Sequence, residues 1–571
     1  MEDQKRSQKL ISRREFLRIA GLVGAGAAVA ACAPQAAPAP AAPTAAPAAT
    51  AAPVATAVPA VVATKQGLAP GMIGGPTGFE GAERYQYAAD SPAGRAMEAL
   101  KALPADKKPA MLTIMHPSGA VGHWNVPFPE GAPTPQQVFE EESGIKLDIV
   151  GVNENEQFQK IIQDTTTKAG QYDVYSFWGN NRGTLAESGA FLVLDDFVGQ
   201  YRPEWDKYYT GGQLTVESYA KYAGKYVCVS FDGDYQSWNY RTDLFEDPQN
   251  MKDFKAKYGW DLQWPETIEQ LDQLAEFFTR PDQNLLGCTD IRNPIWGLTN
   301  WIQRYASAAN PNQFYFDPKT GDALINSAAG IRATQEYADT MKYKSKDAQT
   351  WGWPEQYANF TAGGAAITCA FPNMPKFLDN PGNADSKVVG KIRTGLAPGR
   401  IVDGKLIRRT VWWPNITLAV STQTKYPEAA YLWMQWANSP SMFTFMVGNP
   451  AGYYDPFQVS DFKDPVVVGS YHDYHVPTMT SSIEHSVPPL NLNGASEYET
   501  ALDNNCQAVI AGKKTAEQAM KDAADEWNKI TERLGREKQV AAIDARLAKR
   551  KDRYLSEFVR MESLLAEMTA T

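Results

Sequence analysis

Residues Tyr219 to Phe245, YAKYAGKYVCVSFDGDYQSWNYRTDLF, constrain this chain more than any other stretch. Two short apolar runs, Tyr226 to Phe231 and Gln236 to Tyr240, flank Asp232-Gly233-Asp234, where a glycine sits between two carboxylates. Apolar runs separated by such residues predict strand, crossover, strand. Strand and helix patterns alternate before this stretch and alternate again after it. A crossover between two α/β units places polar and aromatic side chains in the cleft between them.

At 571 residues the chain is well above the size at which a single core stops growing, so two or more domains are expected. In the first unit, Ala110 to Met115 reads as a strand, followed by a loop from His116 to Pro129 and a helix over Gln136 to Glu142. A strand over Lys146 to Val150 comes next, and then a helix over Glu156 to Thr167 that puts Phe158, Ile161, Ile162 and Thr165 on one face. Tyr172 to Phe177 is the following strand. This alternation predicts a parallel sheet covered by helices. Ligands of such sheets lie beyond the carboxyl ends of the strands, which selects Trp124, Trp178 and Asn180.

After the crossover, Ile268, Leu271, Leu274 and Phe278 share a helical face, and 297–309 and 327–341 read as two further helices. Phe360 to Thr368 ends in a strand-like run. Val411 to Val420, VWWPNITLAV, reads as a return strand, and a helix follows over Pro427 to Ala437 with proline in its first turn. Tyr498 to Ile530 is a helical pair broken at Gly512.

Not all of the chain belongs to the fold. Residues 1–31 have a basic polar start, Ser12-Arg13-Arg14-Glu15-Phe16-Leu17-Arg18, and an apolar run from Ile19 to Ala31 that stops at Cys32. That composition is an export signal, too short and too glycine-rich for a stable spanning helix. SRREFLR resembles the twin-arginine signal, and Val29-Ala30-Ala31-Cys32 resembles the lipobox of bacterial lipoproteins, whose cysteine is acylated after cleavage. The alternative is a plain secretory signal with a chance cysteine. Gly24 and Gly26 imitate a nucleotide-binding fingerprint, but no strand precedes them. Residues 32–70 form a tether, almost only Ala, Pro, Thr and Val from Ala33 to Ala63, with nothing to pack. A short helix is expected around Ala93 to Leu103.

The formal charge of -10 already disfavours nucleic acid, and removing a signal with more basic than acidic residues leaves the remainder more acidic still. Beyond Cys32, the cysteines are Cys228, Cys288, Cys369 and Cys506, widely spaced and with no CxxC. Buried single thiols are the expectation, although an extracytoplasmic location permits one or two disulfides.

A sugar presents hydroxyls that need fixed donors and acceptors, and C–H faces that stack on aromatic rings. Among 15 Trp and 26 Tyr, many lie in loops after expected strands. The best-placed candidates are Trp178, Asp232, Asp234, Tyr235, Trp412, Trp413 and Asn415; Trp296, Trp351, Trp353, Tyr453 and Tyr454 come next. Ordinary core packing competes for every aromatic. In Trp412-Trp413, one ring is expected in the cleft and one in the core, because neighbours on a strand face opposite ways. For Asp232 and Asp234 the competing reading is a turn with solvated carboxylates.

Catalytic and metal signals are thinner. His472 and His475, with Glu484 and His485 beyond, could hold a divalent ion, but a polar surface loop is the plainer reading. Calcium has no DxDxDG loop here. Asp232 and Asp234 alone do not define the opposed carboxylates of a glycosidase. Neither a metal nor another cofactor is expected.

Several stretches, in order, resemble the extracellular solute-binding proteins of ABC importers, in the sugar-binding group that includes maltose-binding protein. They are FEEESGIKLDI (139–149), YDVYSFW (172–178), GAFLVLDDFV (189–198), the crossover itself and WPETIEQLDQLAEFFT (264–279). FTAGGAAIT (360–368), the return strand with YPEAAYLWMQWANSP (426–440), and ALDNNCQAVIAGKKTAEQAMKDAADEWNKI (501–530) continue the series.

The resemblance covers about 110–530 and implies a two-lobed periplasmic-binding-protein-like α/β fold. Each lobe is a sheet flanked by helices, and the lobes are joined by a hinge and close over one solute. Carried onto this chain, the first lobe holds 71–231 and 409–450 and the second holds 232–408 and 451–530. Residues 64–107, the Pro- and Tyr-rich 441–497 and a tail at 531–571 depart from the common pattern. In the tail, Val540, Ile543, Leu547, Tyr554, Phe558 and Leu565 recur at helical spacing among Lys and Arg. This amphipathic helix is expected to fold onto the second lobe, to pair with another chain, or to meet the membrane or permease.

The expected function is a solute-binding lipoprotein, anchored through Cys32 outside the cytoplasmic membrane. It would act as a monomer, capturing a carbohydrate or polyol for an ABC permease with no covalent step. The alternatives are a secreted carbohydrate-active enzyme or a binder of a peptide or an anion.

Overall fold

The structure, a computed structural model, describes residues 67–543 except 310–314, 414–415, 451, 453 and 489. The export signal, Cys32, most of the tether, Asn415, Tyr453 and the tail beyond 543 therefore lie outside the described residues.

Two mixed sheets define two lobes. The first contains β1 (Met111–Pro117), β2 (Lys146–Val152), β3 (Val174–Phe177), β4 (Val229–Ser230) and a late return strand, Thr417–Val420. The second contains β5 (Ser237–Arg241), β6 (Leu286–Asp290), β7 (Ala365–Ala370) and β8 (Ile392–Gly395), so the return strand is β9 in chain order. The spatial orders are β2-β1-β3-β9-β4 and β8-β5-β7-β6.

The first sheet is not wholly parallel, as the alternation had suggested. β1 runs parallel to β2 and β3, but β9 enters antiparallel between β3 and β4. The cause is topological: β9 comes back from the other lobe and has no crossover helix of its own to turn it parallel. In the second sheet only β6 and β7 are parallel.

Local chemistry places the elements. The helix Pro135–Ser143 starts at Thr134, whose hydroxyl accepts from Gln137 N while the Gln137 side chain accepts from Thr134 N; it stops at Gly144 with φ 71°. The helix Ile268–Phe278 has the same reciprocal cap, Thr267 with Gln270, and buries Ile268, Leu271, Leu274, Ala275 and Phe278. Alternation along β9 sends Leu418 and Val420 into the large first-lobe core and Ala419 into the smaller cluster on the opposite face.

The lead-in helix, Pro92–Ala102, is capped by Ser91, and its buried Met97 and Leu100 join the first-lobe core. The segment after 451 divides its packing. Tyr454, Phe457, Val467, Tyr471, Met479 and Ile483 belong to the first-lobe cluster, whereas Leu490 to Trp527 build the helical core of the second lobe with Trp301, Tyr337 and Trp413. That second core holds the hairpin of Ala495–Ile510 and Ala516–Leu534, turned at Gly512 with φ 68°.

Two antiparallel segments cross between the lobes, and Ser486–Val487 runs parallel beside Thr410–Val411 where the chain crosses again. Phe231 N donates to Ile416 O at 2.9 Å, Trp413 N to Asp234 O at 3.0 Å and Gln236 N to Val411 O at 2.9 Å. Asp232-Gly233-Asp234 is therefore part of a crossing strand pair and not a solvated turn, and both aspartates are buried. Gly233 is not in the left-handed region. It is small because a third segment passes against it: a Cβ there would lie 2.9 Å from Asp455 O and 3.0 Å from Pro456 O.

Candidate functional site

The site sits on the floor between the lobes, where the crossing segments meet the carboxyl end of β3. β3 ends at Trp178, and a 3-10 turn, Gly179–Asn181, aims Asn180 at the second lobe. Asn180 Nδ2 donates to Glu499 Oε2 at 2.8 Å, with both side chains buried. Burial pushes the Glu499 carboxyl up to about 8, against the lowering effect of the Asn180 hydrogen bond.

Trp178 is half-buried and stands edge-on to Trp296 across the lobes, with ring centroids 5.0 Å apart and planes at 73°. Trp296 in turn meets Phe371 edge-on at 5.7 Å. A cavity of about 20 Å³ lies beside Trp296 and is lined by Asp234, Gln236, Asn300, Phe371 and Val411. That volume holds one water and no sugar.

Below the cavity, one carboxylate oxygen from each of Asp232, Asp234 and Asp455 lies within 4.8 Å of the other two, and all three side chains are buried. Asp232 Oδ1 accepts from Gly233 N at 2.8 Å and from Asp455 N at 2.7 Å. Asp455 accepts from Tyr471 Oη at 3.2 Å and Asn373 Nδ2 at 3.5 Å. Burial first, and then the neighbouring carboxylates, push Asp232 and Asp455 well above the usual carboxylate range. Lys376 lies nearby, donating to Asn449 O at 2.8 Å and Gly452 O at 2.6 Å; burial brings its ammonium down to about 7.

The structure separates the expected site residues. Trp178, Trp296, Asn180 and Asp234 converge on the inter-lobe floor, with Asp232 beneath. Trp124 does not: it is fully buried against Phe231 and Trp433 in the first-lobe core. Trp412 and Trp413 are both core residues, the former against Tyr219 and Phe457 in the first lobe and the latter in the second-lobe cluster. No ring of the pair is left for the cleft, because each lobe takes one face of the crossing segment.

Tyr235 is likewise buried, its hydroxyl donating to Pro456 O at 2.8 Å, and Tyr454 stacks on His123 at 3.8 Å inside the first lobe. Trp353 begins a surface helix and is 55% exposed. His475 is buried with its ring nitrogens facing Thr478 Oγ1 and Pro372 O, so it does not join His472 as a ligand pair. Cys228, Cys288, Cys369 and Cys506 are buried free thiols.

Reasoning from sequence missed Asp455, Lys376, Glu499 and Phe371. Each is remote in sequence from the crossover, and none has a motif of its own. Only the unusual Pro- and Tyr-rich character of 441–497 marked the neighbourhood of Asp455.

Two α/β lobes joined by crossing strands, with a floor of tryptophans, amides and carboxylates between them, define a protein of the periplasmic-binding class. A family model described as bacterial extracellular solute-binding protein matches residues 124–442, more than half of the chain. The chain belongs to that family, one of solute binders and not of catalysts.

Among curated relatives, a probable amino-acid ABC transporter periplasmic-binding protein of Sinorhizobium fredii is 23% identical over 412 residues, 71% of this chain and 87% of the relative. A mannitol-binding protein of Pseudomonas aeruginosa is 25% identical over 320 residues, covering 53% of this chain and 64% of the relative. Among solved structures, an ABC transporter solute-binding protein from Agrobacterium radiobacter K84 in complex with ribitol aligns with a TM-score of 0.60 at 20% identity, covering 74% of this chain and 100% of its own. At that identity the likeness speaks for the fold.

Proposed function

We propose that this protein captures a carbohydrate or polyol between its lobes and delivers it to an ABC permease. The observation that carries this reading is the inter-lobe floor. Trp296 offers an apolar face, with Trp178 edge-on to it, while Asp234, Gln236 and Asn300 offer hydroxyl partners around the cavity that Trp296 lines. Family membership and the mannitol- and ribitol-binding relatives agree with it. The lobes open about the paired segments 231–236 and 411–416 and close over the solute. The buried Asp234 in the cavity lining disfavours an anionic solute.

Cys32 carries the lipid anchor, 32–70 is the tether, and the folded part works as a monomer on the outer side of the cytoplasmic membrane. Replacing Cys32 with Ala should release the protein into the soluble extracytoplasmic fraction.

The test is tryptophan fluorescence and Tm of the folded part with polyols, mono- and oligosaccharides, amino acids, peptides and oxyanions. A saturable fluorescence change together with a raised Tm for a sugar or polyol, recovered unaltered, is the expected result. A response to amino acids alone, or turnover of a ligand, would overturn the reading.

A further inference from the structure

The carboxylate trio holds more negative charge than the lobes need in order to join. Asp232 and Asp234 come from the first crossing segment, and Asp455 from the segment that passes against Gly233, so the trio knots two separate stretches of chain. Like charges this close and this deep are costly unless they take up protons or a cation lies among them. Lys376, the buried cation nearby, commits two of its three protons to the carbonyls of Asn449 and Gly452.

A second observation points the same way. Asp232 is fully buried; its Oδ1 is occupied by two backbone N–H groups, while its Oδ2 is enclosed and has no hydrogen-bond partner. An orphaned buried carboxylate oxygen is an oxygen available to a metal.

We propose that Asp232, Asp234 and Asp455 bind a hard divalent cation, calcium before magnesium, which fastens the crossing segments at the hinge. All-oxygen donors select hard cations. The three oxygens lie within 4.8 Å of one another, close enough to share one ion, and magnesium, which gives up its waters reluctantly, suits an enclosed all-protein site less well than calcium. The adjoining cavity, lined by Asp234, has room for a water ligand.

The test uses the full chain without added solute, so it is independent of which solute is carried. Protein stripped with EDTA and desalted is titrated with calcium and with magnesium while Tm is followed, and bound metal is counted by elemental analysis after gel filtration. The expected result is one equivalent of calcium retained and a saturable Tm rise of several degrees, smaller for magnesium. Asp455→Asn should abolish both the retained metal and the calcium-dependent rise. Because it relieves repulsion, it should melt no lower than the stripped wild-type protein, which separates loss of the site from failure to fold.

The proposal is overturned if the stripped protein neither retains calcium nor shifts its Tm, or if Asp455→Asn keeps the full response. It is equally overturned if an organic ammonium compound raises Tm where calcium does not, since the trio would then be a solute subsite.

Discussion

Asn180, in the turn that ends β3 of the first lobe, donates to Glu499, on the helix Ala495–Ile510 of the second lobe, and the two close one edge of the cleft. The contact is a carboxyl kept protonated by burial: Glu499 sits at about 8 in the fold against an ordinary 4.5. Its folded value is raised, so the folded state binds the proton more tightly than the unfolded chain does. Stability from this group is complete below about pH 4.5 and is lost as pH rises towards 8. Asp461, pushed up to about 7, and Asp503, pushed up to about 6, act in the same direction. Glu499→Gln should therefore melt higher than wild type at pH 8 by the equivalent of a few kcal/mol and differ little at pH 4.5. Tm measured across that range checks it; equal melting at pH 8 would contradict a buried protonated carboxyl.

Gly233→Ala tests the crossing of the chain. A methyl group there meets the backbone oxygens of Asp455 and Pro456 at 2.9 and 3.0 Å, and backbone cannot swing away as a side chain can. A loss of about 1–3 kcal/mol in chemical denaturation is expected. No loss would mean that the segments lie further apart.

The tryptophans divide into two kinds. Trp178→Ala removes a half-buried ring from the cleft, so it should weaken solute binding about tenfold and leave Tm nearly unchanged. Trp412→Ala empties a fully buried site between Tyr219 and Phe457 and should cost about 3–5 kcal/mol of stability. Calorimetric binding and melting curves on both variants tell the two apart, and the same profile for both would refute the division.

Cys228, Cys288, Cys369 and Cys506 are free and buried, which predicts a folded domain indifferent to reductant. Burial pushes the thiols of Cys228 and Cys288 up to about 11, which adds chemical inertness to poor access. Thiol titration of a protein beginning after Cys32 should find no fast-reacting group in the native state and four after unfolding. A Tm lowered by reductant would reveal a disulfide.

The sequence by itself determined the elements and their order. The Thr134–Gln137 and Thr267–Gln270 caps, the apolar face of 268–278, the break at Gly512 and the strands around Asp232-Gly233-Asp234 are written in residues close along the chain, where local hydrogen bonding and periodicity act. That was enough to expect two α/β lobes; the expectation of a binding protein came from the resemblance of several ordered stretches to the solute-binding family. Only the tertiary structure decided which aromatics are core and which lie between the lobes. Trp124, Trp412 and Trp178 lie in or after strand-like runs, yet the first two are fully enclosed in the first-lobe core by residues remote in sequence, whereas Trp178 stays half-buried and meets Trp296 of the other lobe. It alone also decided that Asp455 joins Asp232 and Asp234 and that Glu499 meets Asn180. Periodicity fixes the face a side chain occupies, but what covers that face depends on contacts between distant segments, and those exist only once the chain has folded.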